Sequence, residues 1–333
     1  MGEMIKLIHG DGGKHTKILI EQLFYKHFKN NILLQEQDSA TFIVAQGKMA
    51  FTTDSFVVKP LFFSGGNIGK LAVCGTVNDL SVSGAKPLYL SASFIIEEGF
   101  SMQILEEIVK SMGQTCLECG INIVTGDTKV VEKGSVDGIF INTSGIGYIT
   151  NGYEVKTIEA GDRIIITGGI GEHGTTIAVE RYSIKVKGDF KSDCATLSPF
   201  IEELREHFSS IKIMRDATRG GLATVLHEFS SLCKLGIHLI EEDIPISESV
   251  KAINKLLGLD PLYMACEGRM VLVVKESEAQ KVLNIIQSID QGKGARIIGE
   301  FVGESNQNIF IENSFGGKRI LSPLEGSMLP RIC

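Results

Sequence analysis

Four short segments in the first half of the chain place an acidic side chain beside turn residues or lysine. They read "HGDGGK" (9–14), "TTDSF" (52–56), "GTVNDLSVSGA" (75–85) and "GDTK" (126–129). Carboxylates bind Mg²⁺ through hard oxygen ligands, while glycine-lined backbone amides and lysines bind phosphate. A single Asp of this kind is usually a turn residue or a cap. Four such segments together favour a shared site for a metal ion and a phosphate group.

Two common nucleotide-binding patterns are absent from the sequence. Neither G-x-x-x-x-G-K-[ST] nor G-x-G-x-x-G occurs. These patterns mark the P-loop and the Rossmann dinucleotide fold. A nucleotide would therefore be bound by another type of fold.

The second half contributes a different set of polar groups. In "MRDATRGGLATVLHEF", Asp216 and Arg219 precede two glycines that open a helix, and a helix N-terminus favours an anion. His227 follows on the same helix, and Glu267 lies in "ACEGR", a turn before a strand. Taken singly, Asp216 is explained as a helix cap, His227 as a core histidine and Glu267 as a surface turn.

The sequence closes on "MLPRIC", with a thiol on Cys333. Chain ends rarely pack, so a thiol there is open to oxidation unless the segment carries it to a site. The twelve residues from Ser322 reach roughly 40 Å when extended, about the width of a domain. We therefore expect a segment that moves between an inward and an outward position.

The chain has seven cysteines, an odd and scattered set that predicts reduced thiols and a cytoplasmic protein. Cys116 and Cys119 form a C-x-x-C, but no second pair has the spacing of a metal site. We predict that they lie at the end of an amphipathic helix closed by Gly120.

Composition excludes several classes of function. The net charge is −7 and the basic residues are scattered, so no basic surface is available for nucleic acid. No apolar run reaches the ~20 residues that cross a bilayer, and the start of the sequence lacks the pattern of a signal peptide. We expect neither a nucleic-acid nor a membrane partner.

The length of 333 residues predicts more than one domain. Helical and strand patterns are interleaved in both halves, and many strands alternate in polarity, which favours an α+β protein with mixed sheets. We predict domains at 1–155 and 156–312, and a mobile tail without clear period at 313–333. In the first half, "INIVTGDTKVV" and "GIFINTSGIGYI" are interpreted as strands interrupted by glycine turns, with Asp127 and Lys129 on such a turn.

Several motifs together resemble the HypE family of hydrogenase expression/formation proteins. They are "TDSFVV", "GGNIGKLAVCGTVND", "IVTGDTKVV", "RDATRGG" and the final "PRIC", and the likeness covers essentially the whole chain. The resemblance implies the fold of the aminoimidazole ribonucleotide synthetase superfamily, with two mixed α/β domains. It also implies a homodimer that joins its N-terminal sheets into a barrel.

The same resemblance implies an activity. In the family, the cysteine of "PRIC" receives a carbamoyl group from a HypF-type carbamoyltransferase. ATP-dependent dehydration turns that group into a thiocyanate, and the cyano group passes to iron on a HypC–HypD complex. The family thus supplies the cyanide ligand of [NiFe]-hydrogenase.

Matching the motifs position by position assigns roles to individual residues. Cys333 is the carrier, Glu267 the preferred base and His227 a second group for dehydration. The residues assigned to ATP are Lys14, Asp54, Lys70, Asp79, Asp127, Lys129, Asp216 and Arg219. The residues assigned to Mg²⁺ are Asp54, Asp79 and Asp216, with Asp38 in "QDSA" as a weaker fourth.

Two other functions remain open at this point. One is a different ATP-dependent synthetase of the superfamily, for selenophosphate or a purine precursor. Selenophosphate synthetases typically carry Cys or selenocysteine in the N-terminal glycine-rich segment, which has neither here. The other is a non-catalytic maturation adaptor, against which the full acidic set argues.

Overall fold

The structure, a computed structural model, describes residues 4–35, 39–43, 47–149, 152–186, 190–303, 307–326, 329 and 331–333. The candidate metal ligand Asp38 lies outside these residues. The described strands form two large sheets, one in each half of the chain, and a separate two-stranded sheet in the N-terminal half. The predicted α+β architecture with mixed sheets is confirmed.

Among the residues described, the N-terminal half contains six strands, four α-helices, a short π-helical segment (Ile20–Phe24) and two 3-10 turns (Leu7–His9 and Leu33–Gln35). The strands are β1 (Met49–Phe56), β2 (Phe62–Phe63), β3 (Gly66–Asn67), β4 (Ala85–Glu97), β5 (Asn122–Val131) and β6 (Ile139–Ile149). The helices are α1 (Lys14–Leu19), α2 (Tyr25–Phe28), α3 (Ile68–Val82) and α4 (Met102–Cys119). The main sheet has the order β1-β6-β4-β5, in which β4 and β5 are parallel and the other described pairs antiparallel.

Helix α3 is a buried helix, formed by the long apolar segment "IGKLAVCGTVNDLSV". The Asn67 side chain starts it by accepting hydrogen bonds from the backbone N–H groups of Gly69 and Lys70, at 2.9 and 3.0 Å. Nearly all of its residues are buried, because it lies between the sheet and α4. Its polar residues therefore face the interior of the molecule.

Strand β6 corrects one prediction from the sequence. It runs without a break from Ile139 to Ile149, so the expected glycine turns in this segment are wrong. A Cβ on Gly145 would lie 2.8 Å from Cγ2 of Thr76 on α3. The glycine thus allows close approach of the helix to the strand rather than a turn.

The C-x-x-C segment has the structure that its pattern predicts. Cys116 and Cys119 lie in the last turn of α4, and Gly120 closes the helix with a φ of 67°. All seven cysteines are free thiols.

The C-terminal half contains a larger sheet. Its described strands are β7 (Arg163–Ile166), β8 (Ile211–Asp216), β9 (Gly236–Ile240), β10 (Met270–Val274), β11 (Arg296–Val302), β12 (Ile309–Glu312) and β13 (Lys318–Ile320). Its described helices are α5 (Glu172–Arg181), α6 (Ser198–Leu204), α7 (Gly221–Cys233), α8 (Glu248–Leu257) and α9 (Glu276–Ser288). The strand order is β13-β12-β9-β11-β7-β10-β8, with β12 parallel to β9 and the other described neighbours antiparallel.

Apolar side chains cover both faces of this sheet. Along β10, Val271 and Val273 pack into one core with α7, while Leu272 packs into the opposite core with α6 and α9. A strand buried on both faces is apolar at every position, which explains the run "MVLVV".

The segment after residue 313 is more ordered than its composition predicts. Strand β13 pairs with β12 and extends the sheet to Ile320, so the absence of regular structure expected from 313 onward is wrong there. Further on, Leu329 and Ile332 are buried in an apolar cluster that joins the N-terminal domain to residues of the C-terminal half such as Ile177 and Met264. In the part of the chain that is described, none of the helices is both long and apolar enough to cross a membrane.

Candidate active site

Three of the predicted aspartates lie close enough to interact electrostatically where the two domains touch. Asp54 on β1 faces α3, since a Cβ on Gly75 of that helix would lie 3.6 Å from Asp54 Oδ2. Asp79 follows one turn later on α3 and accepts a hydrogen bond from Thr52 Oγ1 at 2.7 Å. Asp216 ends β8 and brings a carboxylate from the C-terminal domain.

These carboxylates destabilise one another's charge. Burial raises the pKa of Asp54 and of Asp79 above the ordinary range. Burial, followed by the charge of Asp79 and then that of Asp54, raises the pKa of Asp216 to about 7. The site therefore concentrates negative charge that only a cation or a proton can compensate.

Arginines and a helix N-terminus lie beside the cluster. The charge of Arg219 acts on Asp54, and the charge of Arg215 acts on both Asp79 and Asp216. Helix α7 starts immediately after, with Gly220 and Gly221 at φ values of 77° and 58°. A Cβ on Gly221 would lie 2.5 Å from a backbone oxygen of Met264. The predicted helix opening is confirmed, and it needs glycine for both conformation and space.

Glu267 lies in the bend before β10, as predicted, but it is only 2% exposed. Its interpretation as a surface turn is therefore wrong. Burial, followed by the charges of Cys194 and Asp216, raises its pKa well above the ordinary range. Its Oε1 has no hydrogen-bond partner among the described residues. A buried acid with an unfilled hydrogen-bonding position is characteristic of a site that awaits a ligand.

Cys333 docks beside Glu267. Burial, and next the charge of Glu267, raise the pKa of the Cys333 thiol to about 12, while Arg219 hydrogen-bonds the thiol. A cavity of about 390 Å³ opens at this point, lined by Arg219, Cys333 and the segment around Met264. The structure thus brings together the predicted carrier, the predicted base and a predicted anion-binding group.

A second cavity, of about 380 Å³, lies at the other edge of the N-terminal sheet. The glycine loop at 10–12 lines it together with β5 and aromatic residues of the helical segment before β1. A Cβ on Gly10 would lie 2.6 Å from the backbone nitrogen of Val130, so glycine lets the loop lie directly on β5. Asp11 also lines the cavity.

Asp127 and Lys129 line this second cavity, but their predicted position on a turn is wrong. Both lie inside β5, and Lys129 Nζ pairs with Asp127 Oδ1 at 3.1 Å. Asp127 lies in one row across the sheet with Ser93, Asn142 and the exposed Ser55. Ser55 is the neighbour of Asp54 on β1, and successive side chains of a strand point to opposite faces. The side chain of Asp127 is therefore on the face opposite Asp54.

The strand register also gives the distance between the carboxylate cluster and the second cavity. Asp54, Thr143, Ala92 and Gly126 form one row across four neighbouring strands. Three strand spacings correspond to roughly 14 Å. The carboxylate cluster and the second cavity therefore lie at opposite ends of one sheet.

Other predicted residues lie further from the cluster. Lys14 is exposed at the start of α1, and Lys70 Nζ donates to the Gly65 carbonyl at 3.0 Å. His227 lies six residues into α7, about 9 Å along the helix from Gly221. Its Nε2 has no hydrogen-bond partner in the described part of the chain.

The carboxylates do not by themselves form a metal centre. Among the described residues, no three His, Cys, Asp or Glu side chains converge closely enough to hold an ion. A metal at this site would need ligands from another molecule, which suits Mg²⁺ that is bound together with phosphate oxygens.

Sequence reasoning missed a polar network behind the site, formed by His173, Ser192 and Asp193. Asp193 Oδ2 accepts hydrogen bonds from the backbone N–H groups of Glu267 and Gly268, each at 3.1 Å. The motif "GEHG" at the start of α5 gives a signal for His173, since a histidine follows a glycine-rich bend. The segment "KSDCAT", which carries Ser192 and Asp193, has no comparable pattern.

Comparison with family models agrees with this arrangement. The N-terminal domain of AIR synthase related proteins matches residues 36–149. The C-terminal domain of the same family matches residues 159–312.

Individual proteins are similar over nearly the full length. "Carbamoyl dehydratase HypE" of Bradyrhizobium diazoefficiens is 46% identical over 332 residues, which cover 99% of this chain and 96% of the relative. A crystal structure of the hydrogenase maturation protein HypE in complex with ATP is 42% identical, with a TM-score of 0.93 and coverage of 98% and 99%. A chain of a HypE–HypF complex is 47% identical, with a TM-score of 0.81 and coverage of 92% and 99%. The chain therefore belongs to the HypE family of carbamoyl dehydratases, which is built from the two AIR synthase related domains.

Proposed function

We propose that this protein converts an S-carbamoyl group on Cys333 into a thiocyanate at the expense of ATP, and so supplies the cyanide ligand for the iron of [NiFe]-hydrogenase. The observation that carries the proposal is the docking of the Cys333 thiol beside Glu267 and Arg219 at the carboxylate cluster. A tethered group on that sulfur is presented to a buried acid and a cation at once.

The overall change determines what the site must do. The S–C(=O)NH₂ group loses its oxygen and both nitrogen-bound protons, and a C≡N bond results. When bound, ATP makes that oxygen a leaving group by phosphorylating it, and the oxygen departs as part of phosphate. The protein must hold the carbamoyl group, accept the protons and stabilise negative charge on the departing oxygen.

Glu267 is the proposed acceptor of a nitrogen-bound proton. Its Oε1 is unpaired among the described residues, and its charge acts on the Cys333 thiol. Asp193 fixes the backbone on which it sits. Arg219 is the proposed counter-charge for the oxygen, and His227, further along α7, remains the second candidate for proton transfer.

The carboxylate cluster fits a Mg²⁺ ion that arrives with ATP. Asp54, Asp79 and Asp216 repel one another, and a divalent cation would relieve that repulsion. Mg²⁺ usually takes one or two protein carboxylates and completes its shell with phosphate oxygens and water. Asp38 remains a candidate ligand outside the described residues.

The proposed nucleotide contacts reach across the N-terminal sheet. Asp127 and Lys129, with the glycine loop, line the second cavity, roughly 14 Å along the sheet from Asp54. Arg219, Lys70 and Lys14 are the proposed further contacts to phosphate. The ATP complex of a relative supports nucleotide binding in this fold.

We also infer the partners from the family. A HypF-type carbamoyltransferase is the proposed donor of the carbamoyl group, supported by the HypE–HypF complex of a relative. A HypC–HypD complex is the proposed acceptor of the cyano group. A homodimer through the N-terminal sheet is proposed because Phe51, on the face of the sheet opposite α3, is 72% exposed.

The other two functions are less well supported. A selenophosphate or purine-pathway synthetase has no use for a cysteine docked at the site, and the relatives at more than 40% identity include carbamoyl dehydratases. A non-catalytic adaptor has no use for a buried acid beside that cysteine.

Mass spectrometry of the C-terminal peptide tests the function. After incubation with ATP, carbamoyl phosphate and a HypF-type enzyme, we expect a carbamoyl adduct on Cys333 that then loses the mass of one water molecule. Cys333→Ser should bind ATP but form no thiocyanate, whereas Cys233→Ser on α7 should behave as the wild type. Thiocyanate in the Cys333→Ser protein, or a carbamoyl adduct that never loses water, would contradict the proposal.

A further inference from the structure

We propose that His173 is a positioning residue that holds the C-terminal segment in its docked pose, through a hydrogen bond from its Nε2–H to the Ile332 carbonyl oxygen. The distance between these atoms is 2.7 Å. The inference rests on the proposed function, because docking matters only if Cys333 carries the reacting group. Its main test, however, requires no catalysis.

The last three residues dock between the two domains through backbone hydrogen bonds. On one side, the carbonyl of Arg331 accepts from Lys59 N at 3.2 Å, and that of Cys333 accepts from Val57 N at 3.1 Å. The carbonyl of Ile332, between these two, does not bond this segment and instead faces the C-terminal domain. His173, on α5 of the C-terminal domain, meets it there.

The neighbours of His173 determine which ring nitrogen carries the hydrogen. A carbonyl oxygen can only accept, so the hydrogen must be on Nε2. Nδ1 of the neutral ring then accepts from the hydroxyl of Ser192, at 2.8 Å. Ser192 Oγ in turn accepts from the backbone N–H of Cys194 at 3.0 Å, so its own hydrogen is free for Nδ1. Complete burial lowers the pKa of His173, which agrees with a neutral ring.

The backbone of His173 is linked to the loop of the proposed base. Asp193 Oδ1 accepts from His173 N at 3.0 Å, while Asp193 Oδ2 accepts from the backbone N–H of Glu267. One buried carboxylate thus sets the positions of both the docking histidine and Glu267. This link aligns the docked thiol with the acid that must act on it.

Gly174 makes room for the docked segment. A Cβ at this position would lie 3.0 Å from Cδ1 of Ile332, which is itself buried. The start of α5 therefore supplies both a hydrogen-bond donor and a recess for the penultimate residue. An apolar residue at position 173 would fill the same volume against Phe63 without a donor.

The proposed role predicts a shift between two poses rather than a loss of structure. Carbamoylation by a partner enzyme requires Cys333 to leave the site, and dehydration requires it to return. Loss of the His173 hydrogen bond should favour the undocked pose, in which the thiol is exposed to reagents.

The rate of iodoacetamide alkylation, followed peptide by peptide in the full-length protein, measures undocking. In His173→Phe we expect Cys333 to react about five- to tenfold faster, the factor that corresponds to one buried hydrogen bond. Cys233, partly exposed on α7, is the internal control and should keep its rate. His173→Gln, whose amide can donate to Ile332 and accept from Ser192, should restore the slow rate.

Ser192→Ala separates positioning from simple packing. The Ser192 hydroxyl hydrogen-bonds the His173 ring and the backbone N–H of Cys194, so it acts on the Ile332 carbonyl through the imidazole. We expect faster alkylation of Cys333 here too, in a protein that still folds with a melting temperature lowered by a few degrees, because His173 Nδ1 and the Cys194 N–H lose a partner. If Ser192→Ala and His173→Phe both keep the wild-type rate at Cys333, the proposal is wrong. If His173→Phe does not fold, Ser192→Ala and His173→Gln still decide.

Single-turnover kinetics then connect docking to the reaction. With protein that is already carbamoylated, His173→Phe should dehydrate about five- to tenfold more slowly, while the rate of carbamoyl loading is not reduced. An equal loss in both steps would overturn the positioning role. Failure of the wild type to dehydrate at all would refute the proposed function but leave the alkylation result intact.

Discussion

Among the described residues, helices cover one face of the N-terminal sheet, whereas apolar cores with helices cover both faces of the C-terminal sheet. In the first sheet, α3 and α4 lie over one side, and the other side exposes Phe51 and Ile95 at 72% and 42%. In the second sheet, the side chains of β10 alternate between two apolar cores. We call the C-terminal sheet, which is buried on both faces, the closed platform. The N-terminal sheet retains an exposed surface that can bind another molecule.

This difference assigns different tasks to the two domains. The closed platform places Asp216 at a strand end, Arg219 before a helix and Glu267 in a tight bend, all of them positions fixed by surrounding packing. The half-covered sheet holds Asp54 on its packed face and Lys129 on its open face. We therefore expect proton transfer to depend on the platform and assembly to depend on the open sheet.

The largest expected effect comes from Glu267→Gln on the platform. The change keeps the shape but removes the group that accepts a proton, so we expect carbamoyl-dependent ATP turnover to fall by about 10²–10⁴-fold. Because the pKa of Glu267 is raised, its basic form is scarce at low pH. The wild-type rate should therefore increase as pH rises through that pKa, and the variant should lose this dependence.

Asp54→Asn on the other sheet is the matched comparison for Glu267→Gln. We expect Asp54→Asn to weaken binding of ATP with Mg²⁺, and Glu267→Gln to leave that binding near the wild-type value. Titration calorimetry with a non-hydrolysable ATP analogue measures both. Wild-type turnover in Glu267→Gln would remove this residue from the mechanism.

The second largest expected effect concerns the open face of the N-terminal sheet, which carries Phe51. Phe51→Glu introduces a charge into the apolar surface proposed for the dimer, and we expect self-association to weaken by about 30-fold or more. Asp127 and Lys129 lie on the same face, so the KM for ATP should rise as well. Sedimentation equilibrium measures the association.

Ile320→Glu provides the control for the dimer. Ile320 is 56% exposed, but it lies on β13 at the edge of the C-terminal sheet. We expect it to leave association unchanged. A wild-type protein that is monomeric at every concentration, or equal effects of both variants, would mean that the open face does not form the dimer.

The smallest expected effect is on the stability of the folded protein, and it comes from Asp216, where the two domains touch. The folded protein holds a proton on Asp216 up to a pKa of about 7, whereas the ordinary value is 3.8. Between these values the native state binds more protons than the unfolded state, so Asp216 lowers stability progressively as pH rises from about 4 to about 7. Asp216→Asn should therefore raise the melting temperature by a few degrees at pH 8 and by much less near pH 4.

Thermal melts over this pH range, without nucleotide, measure the stability effect. Asp162→Asn is the matched control, because Asp162 is a buried aspartate of the same domain that lies 3.5 Å from the Lys212 ammonium. It should lower the melting temperature instead. Equal behaviour of the two variants would contradict the repulsion within the carboxylate cluster.

The sequence by itself determined the local features that depend on residue type and spacing. The buried helix α3 follows from a long apolar run, the helix end at Gly120 follows from apolar periodicity, and the opening of α7 follows from the conformations that glycine allows. The motifs around Asp54, Asp216 and Cys333 indicated the family, and the comparisons confirm it.

Only the tertiary structure decided which of these residues meet. Asp54 and Asp216 lie 162 positions apart in the printed sequence, and no local pattern records their mutual repulsion. The strand position of Lys129 and the role of Gly145 depend on register and on the approach of α3, which are set by long-range packing. The contact between His173 and Ile332 joins segments that share no periodicity, because a single hydrogen bond between distant segments leaves no trace in the spacing of residues.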